Sequence, residues 1–317
     1  MEDGNLVAGF WRVHGGIEGK HETGRIALKT LTLLKCGRGP GDATVDRAMA
    51  FLRTRHREQA QFLGTYDAGV TLMALQTYLH HPDVVRHRSP DEANEDLVLA
   101  VRLAFWIASG RKYGGNWGYY CPGFREVDRY PVGPGRSPSQ WARAGERDRV
   151  AEVVRFRTPP PLPEFLEHPT EGNDHSNSQY ALLGLKAADN LGIGMPEPLW
   201  DEVAQHWIGT QEPAGEAVEL RTARDPVGRS RYAAQTRPAR ARGWRYHGHG
   251  DVGPTGAMTA VGLAVVRICL DQVSDPKVKE ALEAALDDGW AWMQQHFAVA
   301  SNPGAKAPPW AHYYYLY

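Results

Sequence analysis

The sequence predicts an all-α fold in which helical hairpins form a ring, with apolar inner helices and amphipathic outer helices. Three observations predict it: a short internal repeat, amphipathic segments that alternate with the repeat, and turns that contain glycine and tryptophan. The chain has 317 residues, of which 42% are hydrophobic, so it can bury one large core or two modest ones.

Four ten-residue segments align without gaps and define the repeat. They are residues 23–32, 67–76, 177–186 and 255–264, each with leucine at its ninth position. Glycine, alanine, serine or threonine recurs every three positions before that leucine, ending at Thr30, Ala74, Gly184 and Gly262. This spacing puts the small side chains near one helical face, where a neighbouring helix can approach closely. We therefore predict inner helices here, packed against each other through this face.

Amphipathic segments at the helical period follow the repeats, at residues 43–56, 94–111, 197–211 and 275–297. These segments predict the outer helices. Turns with glycine and tryptophan lie at 9–11, 115–119 and 243–246, each before an inner helix. We expect each tryptophan to be buried and to close its hairpin, in preference to stacking on a ligand.

The excess length between the repeats falls in two insertions, at about 121–172 and 212–242. Loops this long inside a compact domain are usually functional lids or disordered segments. The first insertion is rich in proline. The second predicts either a site for an anion or acidic partner, or a solvated loop balanced by its own acidic residues. Its arginines are Arg221, Arg224, Arg229, Arg231, Arg237, Arg240 and Arg242.

The residues from Trp200 to Trp244 resemble a known repeat. Trp200, Trp207 and Gln211 precede Gly243-Trp244, which is similar to the Gln-Trp repeat of squalene–hopene cyclases with a longer gap. With residues 174–189 and 243–264, they resemble the prenyltransferase/squalene-oxidase repeat of the α/α toroids, which a large group of bacterial proteins carries. The resemblance implies one α/α-toroid domain over residues 1–317, with a terpene cyclase-like or prenyltransferase-like central cavity for an apolar or isoprenoid-like ligand.

Three catalytic motifs of that superfamily do not occur in this sequence. They are the Asp-x-Asp-Asp acid of class II terpene cyclases, the Asp-x-Cys zinc ligands of protein prenyltransferases, and the thioester motif Gly-Cys-Gly-Glu-Gln. Because one fold supports many activities, the resemblance leaves the reaction open. Cys36, Cys121 and Cys269 form neither a disulfide framework nor a CxxC clamp. We assign no cofactor and no metal.

The two ends of the sequence predict an incomplete ring. Five inner and four outer helices can be counted, including an inner helix that begins near Trp310, whereas six hairpins close a typical toroid. We expect an open ring or a fragment of a longer repeat protein, and an exposed helix face would favour a homodimer. Residues 1–4 do not begin a signal peptide, so we expect a soluble protein whose localisation the sequence leaves open.

Polar residues at the N-terminal ends of the inner helices are the candidates for chemistry, because these ends would meet at one rim of the ring. Asp174 and His175 are the first catalytic candidates, since a histidine beside a carboxylate can act as a general acid or base near neutral pH. With His247, His249 and Asp251 they form a predicted rim site, where a metal role is also conceivable.

Helix capping is the alternative interpretation of several of these polar residues. Thr23, Asp67, Ser176 and Thr255 occupy positions where N-caps belong, and these residue types cap helices of every function.

Aromatic faces could hold an apolar chain or stabilise a carbocation, so tyrosines and tryptophans complete the candidate site. The candidate ligand-binding residues are Asp67, Tyr119, Tyr180, Trp244, His247 and Tyr314. Core packing is the commoner use of aromatic residues, and it is also expected for Tyr113, Tyr120, Tyr313 and Tyr315.

The composition excludes some classes of function and leaves three hypotheses. A net charge of −1 does not suggest a nucleic-acid partner, and no apolar run reaches the roughly 20 residues of a membrane span. The first hypothesis is the apolar-ligand domain with unproven catalysis, the second a protein-interaction module, and the third an enzyme with the His/Asp rim site. The expected partner is accordingly an apolar small molecule or a protein.

Overall fold

The computed structural model of the protein describes residues 22–58, 64–111, 114–119, 175–222, 235–247 and 253–305. Regular structure in these ranges is mostly helical. The helices are α1 (Glu22–Lys35), α2 (Ala43–Glu58), α3 (Thr65–Leu79), α4 (Val84–His87), α5 (Pro90–Ser109), α6 (His175–Asn190), α7 (Glu197–Thr210), α8 (Gly256–Gln272) and α9 (Pro276–His296). The strands are β1 (Glu216–Thr222) and β2 (Gln235–Ala241). None of the helices in the described ranges is long and apolar enough to cross a membrane.

All eight helices that the sequence predicts in the described ranges are present. The repeat segments coincide with α1, α3, α6 and α8, and the amphipathic segments coincide with α2, α5, α7 and α9, with one or two residues of some segments beyond the helix ends. The mostly helical class is therefore confirmed, with two additions that were not predicted: α4, a single turn between α3 and α5, and the strands β1 and β2. The first tryptophan turn, the insertion at 121–172 and the helix expected near Trp310 lie outside the described residues.

The described residues form two compact units. The first contains α1 to α5 with residues 117–119 and 180–196, and the second contains residues 114–116, 175–179 and the described residues from 197 to 305. The division falls inside α6, after Gln179. A single toroid over residues 1–317, open or closed, stays a prediction.

The small-residue face of the repeat produces a close helix crossing in the first unit. A Cβ atom added to Gly184 of α6 would lie 2.7 Å from the Cα atom of Gly69 in α3. One added to Gly69 would lie 2.1 Å from the carbonyl oxygen of Tyr180. Both distances are too short for a side chain, so the backbones of two inner helices touch here, as the spacing predicts.

Gly262 has a different neighbour from the one predicted. A Cβ atom there would lie 2.2 Å from the indole ring of Trp244. The missing side chain in α8 thus makes room for a tryptophan, where we expected a neighbouring inner helix. A ten-residue pattern shows that the space is needed but not which group fills it.

The two described tryptophan turns are held in the same way. Trp117 and Trp244 are both fully buried. The indole N–H of Trp117 donates to the carbonyl of Ile107 at 2.7 Å, and that of Trp244 donates to the carbonyl of Trp207 at 2.8 Å. Ile107 and Trp207 lie in the last turns of the outer helices α5 and α7, so each indole ties its turn to the end of an outer helix. The burial expected for these tryptophans is confirmed.

The same turns also bind the first residue of an inner helix. The backbone N–H of Thr65, which begins α3, donates to the carbonyl of Tyr119 at 2.9 Å. In the second unit the N–H of His175, which begins α6, donates to the carbonyl of Tyr246 at 3.0 Å. Each accepting tyrosine lies two residues after the tryptophan of its turn. The two units therefore share a structural repeat that includes the turn and both helix ends.

The arginine-rich insertion contains a β-hairpin where the sequence predicts only a loop. Strands β1 and β2 pair in antiparallel fashion, with Glu216 opposite Ala241. The side chain of Gln294 in α9 accepts from the N–H of Arg221 at 2.9 Å and donates to the carbonyl of Glu219 at 3.1 Å. Contacts with α9 thus stabilise a pair of strands that would be marginal alone.

The structure describes four of the seven arginines of the insertion, and two of these four are paired within the chain. Arg237 bonds Asp287, and Arg242 bonds Asp288 at 2.6 Å. Arg221 and Arg240 are exposed. The others, Arg224, Arg229 and Arg231, lie outside the described residues. Intramolecular carboxylates therefore already neutralise part of the charge that suggested an anion site.

The close crossing of α3 and α6 predicts a specific cost for one added methyl group. Gly184→Ala should lower the free energy of unfolding by about 1–3 kcal/mol, because the new atom meets the backbone of Gly69. Urea denaturation followed by circular dichroism measures it.

A matched control is available in α7. A Cβ atom at the exposed Gly209 meets nothing within 4 Å, so Gly209→Ala should raise the free energy of unfolding by up to about 1 kcal/mol through helix propensity. Equal effects of the two substitutions would contradict the assigned crossing.

Candidate functional site

The candidate residues that the structure describes fall into two groups, one in each unit. Asp67, Tyr119 and Tyr180 lie in the first unit, and His175, Trp244 and His247 lie in the second. The remaining candidates lie outside the described residues: Asp174, His249, Asp251 and Tyr314.

Asp67 is a buried carboxylate that joins two inner helices. Its Oδ1 atom accepts from the N–H of Gly24 in the first turn of α1 at 2.6 Å. Its Oδ2 atom accepts from the N–H of Gly64, the N-cap residue of α3, at 2.9 Å. Asp67 thus caps α3 from the third helical position, whereas the sequence placed it at the N-cap itself. This use of both oxygens supports the structural interpretation, and ligand binding by Asp67 stays a prediction.

The other capping predictions have mixed outcomes. Thr255 is the N-cap of α8, and its hydroxyl accepts from the N–H of Met258 at 3.2 Å. Thr23 and Ser176 are the second residues of α1 and α6, so they lie inside the helices and not at the N-cap. Helix ends shift by one or two residues because apolar periodicity does not mark the first turn.

The two tyrosine candidates of the first unit have different surroundings. Tyr119 is 47% exposed. Tyr180 is half-buried, and its ring meets that of Tyr66 edge-on at 4.5 Å between centroids. Tyr113, Tyr120 and Tyr313 to Tyr315 lie outside the described ranges. Ligand contact by Tyr119 or Tyr180 stays a prediction.

His56 is a buried histidine that was not among the candidate residues, and it contacts Thr71, one helical turn after Asp67 in α3. His56, near the end of α2, is 1% exposed, and its Nε2 atom lies 3.0 Å from the hydroxyl of Thr71. Because Thr71 donates its own proton to the carbonyl of Asp67, His56 must donate at Nε2. Burial lowers the pKa of His56 to about 3. Residue 56 is the last of the predicted outer helix 43–56, and the amphipathic pattern alone does not show that its side chain is buried.

His175, the first catalytic candidate, is the first residue of α6 and is 2% exposed. Its Nδ1 atom lies 2.6 Å from the carbonyl oxygen of Arg245. A carbonyl can only accept, so Nδ1 carries the proton in this bond. In the first unit Thr65 occupies the same place and donates its hydroxyl to the carbonyl of Gly118 at 2.7 Å. A side-chain donor at this position is therefore part of the repeat, and threonine is sufficient for it.

The second ring nitrogen of His175 reaches another histidine. The Nε2 atoms of His175 and His206 are 3.3 Å apart, and the ring centroids are 5.4 Å apart. With its proton on Nδ1, neutral His175 accepts at Nε2, so His206 donates from its own Nε2. The two imidazoles form a polarised pair, named here the histidine pair.

The sequence analysis did not select His206. It lies on α7, directly before Trp207, whose carbonyl accepts the indole proton of Trp244. In the first unit the residue before the corresponding acceptor is Trp106. The gapless alignment of the repeat segments pairs His175 with Thr65, but the equivalence of His206 and Trp106 appears only in the indole bonds to the residues that follow them.

Aromatic rings adjoin the histidine pair. The indole of Trp207 lies 4.3 Å from the ring of His175, at an angle of 31° between the planes. His247 is exposed, and its ring meets Tyr246 edge-on at 4.8 Å. Trp244 is fully buried against Gly262, as the packing interpretation expects. Ligand contact by Trp244 or His247 stays a prediction.

Potential metal ligands are sparse among the residues that the structure describes. These ranges hold no group of three histidine, cysteine, aspartate or glutamate side chains placed to bind one ion. Burial raises the pKa of the Cys269 thiol to about 12, so this cysteine is inert. The histidine pair is thus the main juxtaposition of imidazoles in this part of the chain.

Comparison with protein-family models, with curated proteins and with solved structures finds no match to this chain. The resemblance to the squalene–hopene cyclase repeat stays a prediction.

The double role of Asp67 predicts a loss of stability on neutralisation. In Asp67→Asn the amide can accept with one atom only, so either Gly24 or Gly64 loses its acceptor. The free energy of unfolding should fall by about 1.5–3 kcal/mol in urea denaturation. Asp271→Asn, at a surface pair with Arg267, should change it by less than about 0.5 kcal/mol. An unchanged free energy of unfolding in Asp67→Asn would contradict the role of Asp67 as acceptor for both Gly24 and Gly64.

The buried His56 predicts a pH-dependent stability. Its folded pKa of about 3 lies below the unfolded value of 6.5, so the unfolded state binds the proton first as the pH falls. Its contribution to stability is present above pH 6.5 and is lost progressively toward pH 3. About 2 kcal/mol should be lost between pH 6.5 and pH 5.

Urea denaturation at several pH values measures this loss. His56→Gln should flatten the profile in this window, whereas His87→Gln, at an exposed site, should retain the wild-type slope. The same slope in His56→Gln as in the wild type would rule out His56 as the source.

Proposed function

We propose that the protein binds a small amphipathic ligand of isoprenoid type, with the histidine pair as the group that recognises its polar end. The observation that carries this proposal is the approach of two imidazole Nε2 atoms to 3.3 Å beside an indole. Ligand sites commonly combine a few polar groups with apolar and aromatic walls. The hairpin repeat with its tryptophan turns supports the ligand class, because it is the architecture that the cyclase resemblance implies.

The histidine pair suits hydrogen bonding to a hydroxyl or phosphate group. Each neutral imidazole carries one donor and one acceptor nitrogen, and a hydroxyl or phosphate oxygen can replace one ring as the partner in the bond between the two Nε2 atoms. A positive charge on the pair would be favoured by the carbonyl of Arg245 and by the adjacent face of Trp207. These contacts orient His175 without any ligand, so little ordering energy is lost on binding.

Catalysis would follow from the same arrangement. A proton accepted by one ring can be shared with the other, which is the behaviour of a general acid–base pair and contributes about 10²–10⁴ in rate where it operates. His175 keeps the catalytic role predicted for it, and His206 is added as its partner. Enclosure of the ligand in the central cavity of a toroid belongs to this proposal.

A binding experiment with farnesol tests the proposal. Farnesol has an isoprenoid chain and one hydroxyl, and binding near Trp207 should change the tryptophan fluorescence of the chelator-treated protein. His206→Leu should weaken binding at least about tenfold, because the hydroxyl loses a hydrogen-bond partner. His296→Leu is the control, since that exposed ring packs on Trp292 in the same unit.

Saturable binding that the His206 variant loses and the His296 variant keeps supports the proposal. No binding to the wild type, or equal binding by both variants, contradicts it. Native mass spectrometry of protein purified from its own host adds a second measurement. A co-purifying protein with no small molecule would favour the interaction module.

A further inference from the structure

We propose that His175 and His206 bind a transition-metal ion of the zinc class between their Nε2 atoms. This inference rests on the proposed site, since it concerns the same histidine pair. It is carried by three observations: the separation of the two nitrogens, the bond that orients His175, and the difference between the two copies of the repeat.

The separation of the two Nε2 atoms fits a shared ion. Zinc binds histidine nitrogen at about 2.0–2.1 Å with tetrahedral geometry, which places two ligand nitrogens about 3.3–3.4 Å apart. The observed distance is 3.3 Å. A metal ion can therefore take the place of the bridging proton with little movement of either ring.

The orientation of His175 is that of a metal-bound histidine. Its Nδ1–H donates to the carbonyl of Arg245 at 2.6 Å, which leaves the Nε2 lone pair directed at His206. Such a bond to a carbonyl fixes the tautomer and the ring plane of metal ligands and raises their basicity. His206 would bind as the tautomer with its proton on Nδ1, so no proton is gained or lost by a neutral pair.

The repeat shows that structure alone does not require this pair. In the first unit Thr65 makes the bond to the turn that His175 makes in the second, and Trp106 occupies the place of His206. The fold is thus satisfied by residues that cannot bind a metal ion. In the second unit, the two histidines at these positions provide two imidazole nitrogens as ligands, while Nδ1 of His175 still makes the bond to the turn.

Two protein ligands leave coordination positions for water or for the polar end of a ligand. Imidazole nitrogen favours zinc, cobalt, nickel and copper over magnesium and calcium. An ion at this place would act as a Lewis acid toward a hydroxyl or phosphate oxygen. The metal ion would therefore be the polar contact of the proposed ligand site.

Titration of the full chain with cobalt(II) tests the inference. After treatment with chelator and removal of the chelator, visible absorption and calorimetry should give one cobalt ion per chain. His206→Gln should lower the affinity at least about tenfold, since it removes a nitrogen ligand. His296→Gln, a histidine of the same unit outside the pair, should bind as the wild type does.

A second variant and a stability measurement keep the test decisive. His175→Gln should also lose cobalt, and His206 is only half-buried, so its variant should fold even where the His175 variant does not. Zinc should raise the melting temperature of the wild type and not that of His206→Gln. Failure of the wild type to bind cobalt, or equal binding by His206→Gln, overturns the inference.

The outcomes for metal and for farnesol are separable. Farnesol binding in the presence of chelator, with no cobalt binding, overturns the metal inference and leaves the proposed function intact. Cobalt binding that His206→Gln loses, with no farnesol binding at any metal concentration, supports the inference and overturns the proposed ligand.

Discussion

A buried indole N–H bonded to the carbonyl at the end of an outer helix is the interaction on which each unit depends. Trp117 makes it to Ile107, and Trp244 makes it to Trp207. A helix end exposes carbonyls without partners, and a buried indole needs an acceptor, so each group satisfies the other. Two residues further on, the same turn accepts the first N–H of an inner helix. One tryptophan thereby positions an outer helix, a turn and an inner helix together.

The histidine pair differs from the corresponding residues of the first unit, although the two turns are held in the same way. In the first unit, the hydroxyl of Thr65 bonds the carbonyl of Gly118 in the turn. At the corresponding place in the second unit, an imidazole makes that bond with one nitrogen and has a second nitrogen for another partner. A second nitrogen is thus added at a position whose backbone is already fixed by the turn, as a preorganised site requires.

The sequence was sufficient for the helices because their signals are local. Apolar periodicity and small-residue spacing located all eight predicted helices in the described ranges, and Gly184 lies at a helix crossing as its spacing indicates. Partners distant in sequence were not predictable in the same way. The indole beside Gly262, the burial of His56 and the contact of His206 with His175 each depend on tertiary packing.

The β-hairpin was missed for a related reason, since its charged strands lack a clear alternation and α9 stabilises them. Residues of α9 also occupy backbone groups on the outer edges of both strands. Gln294 bonds a carbonyl and an N–H of β1 on the side away from β2, as a neighbouring strand would. Pro238, opposite Glu219, has no N–H to offer on the corresponding side of β2, and Asp288 bonds the N–H of Arg240. At these positions the outward backbone groups are already bonded or, at Pro238, absent, so they offer no unpaired group to a strand of another chain.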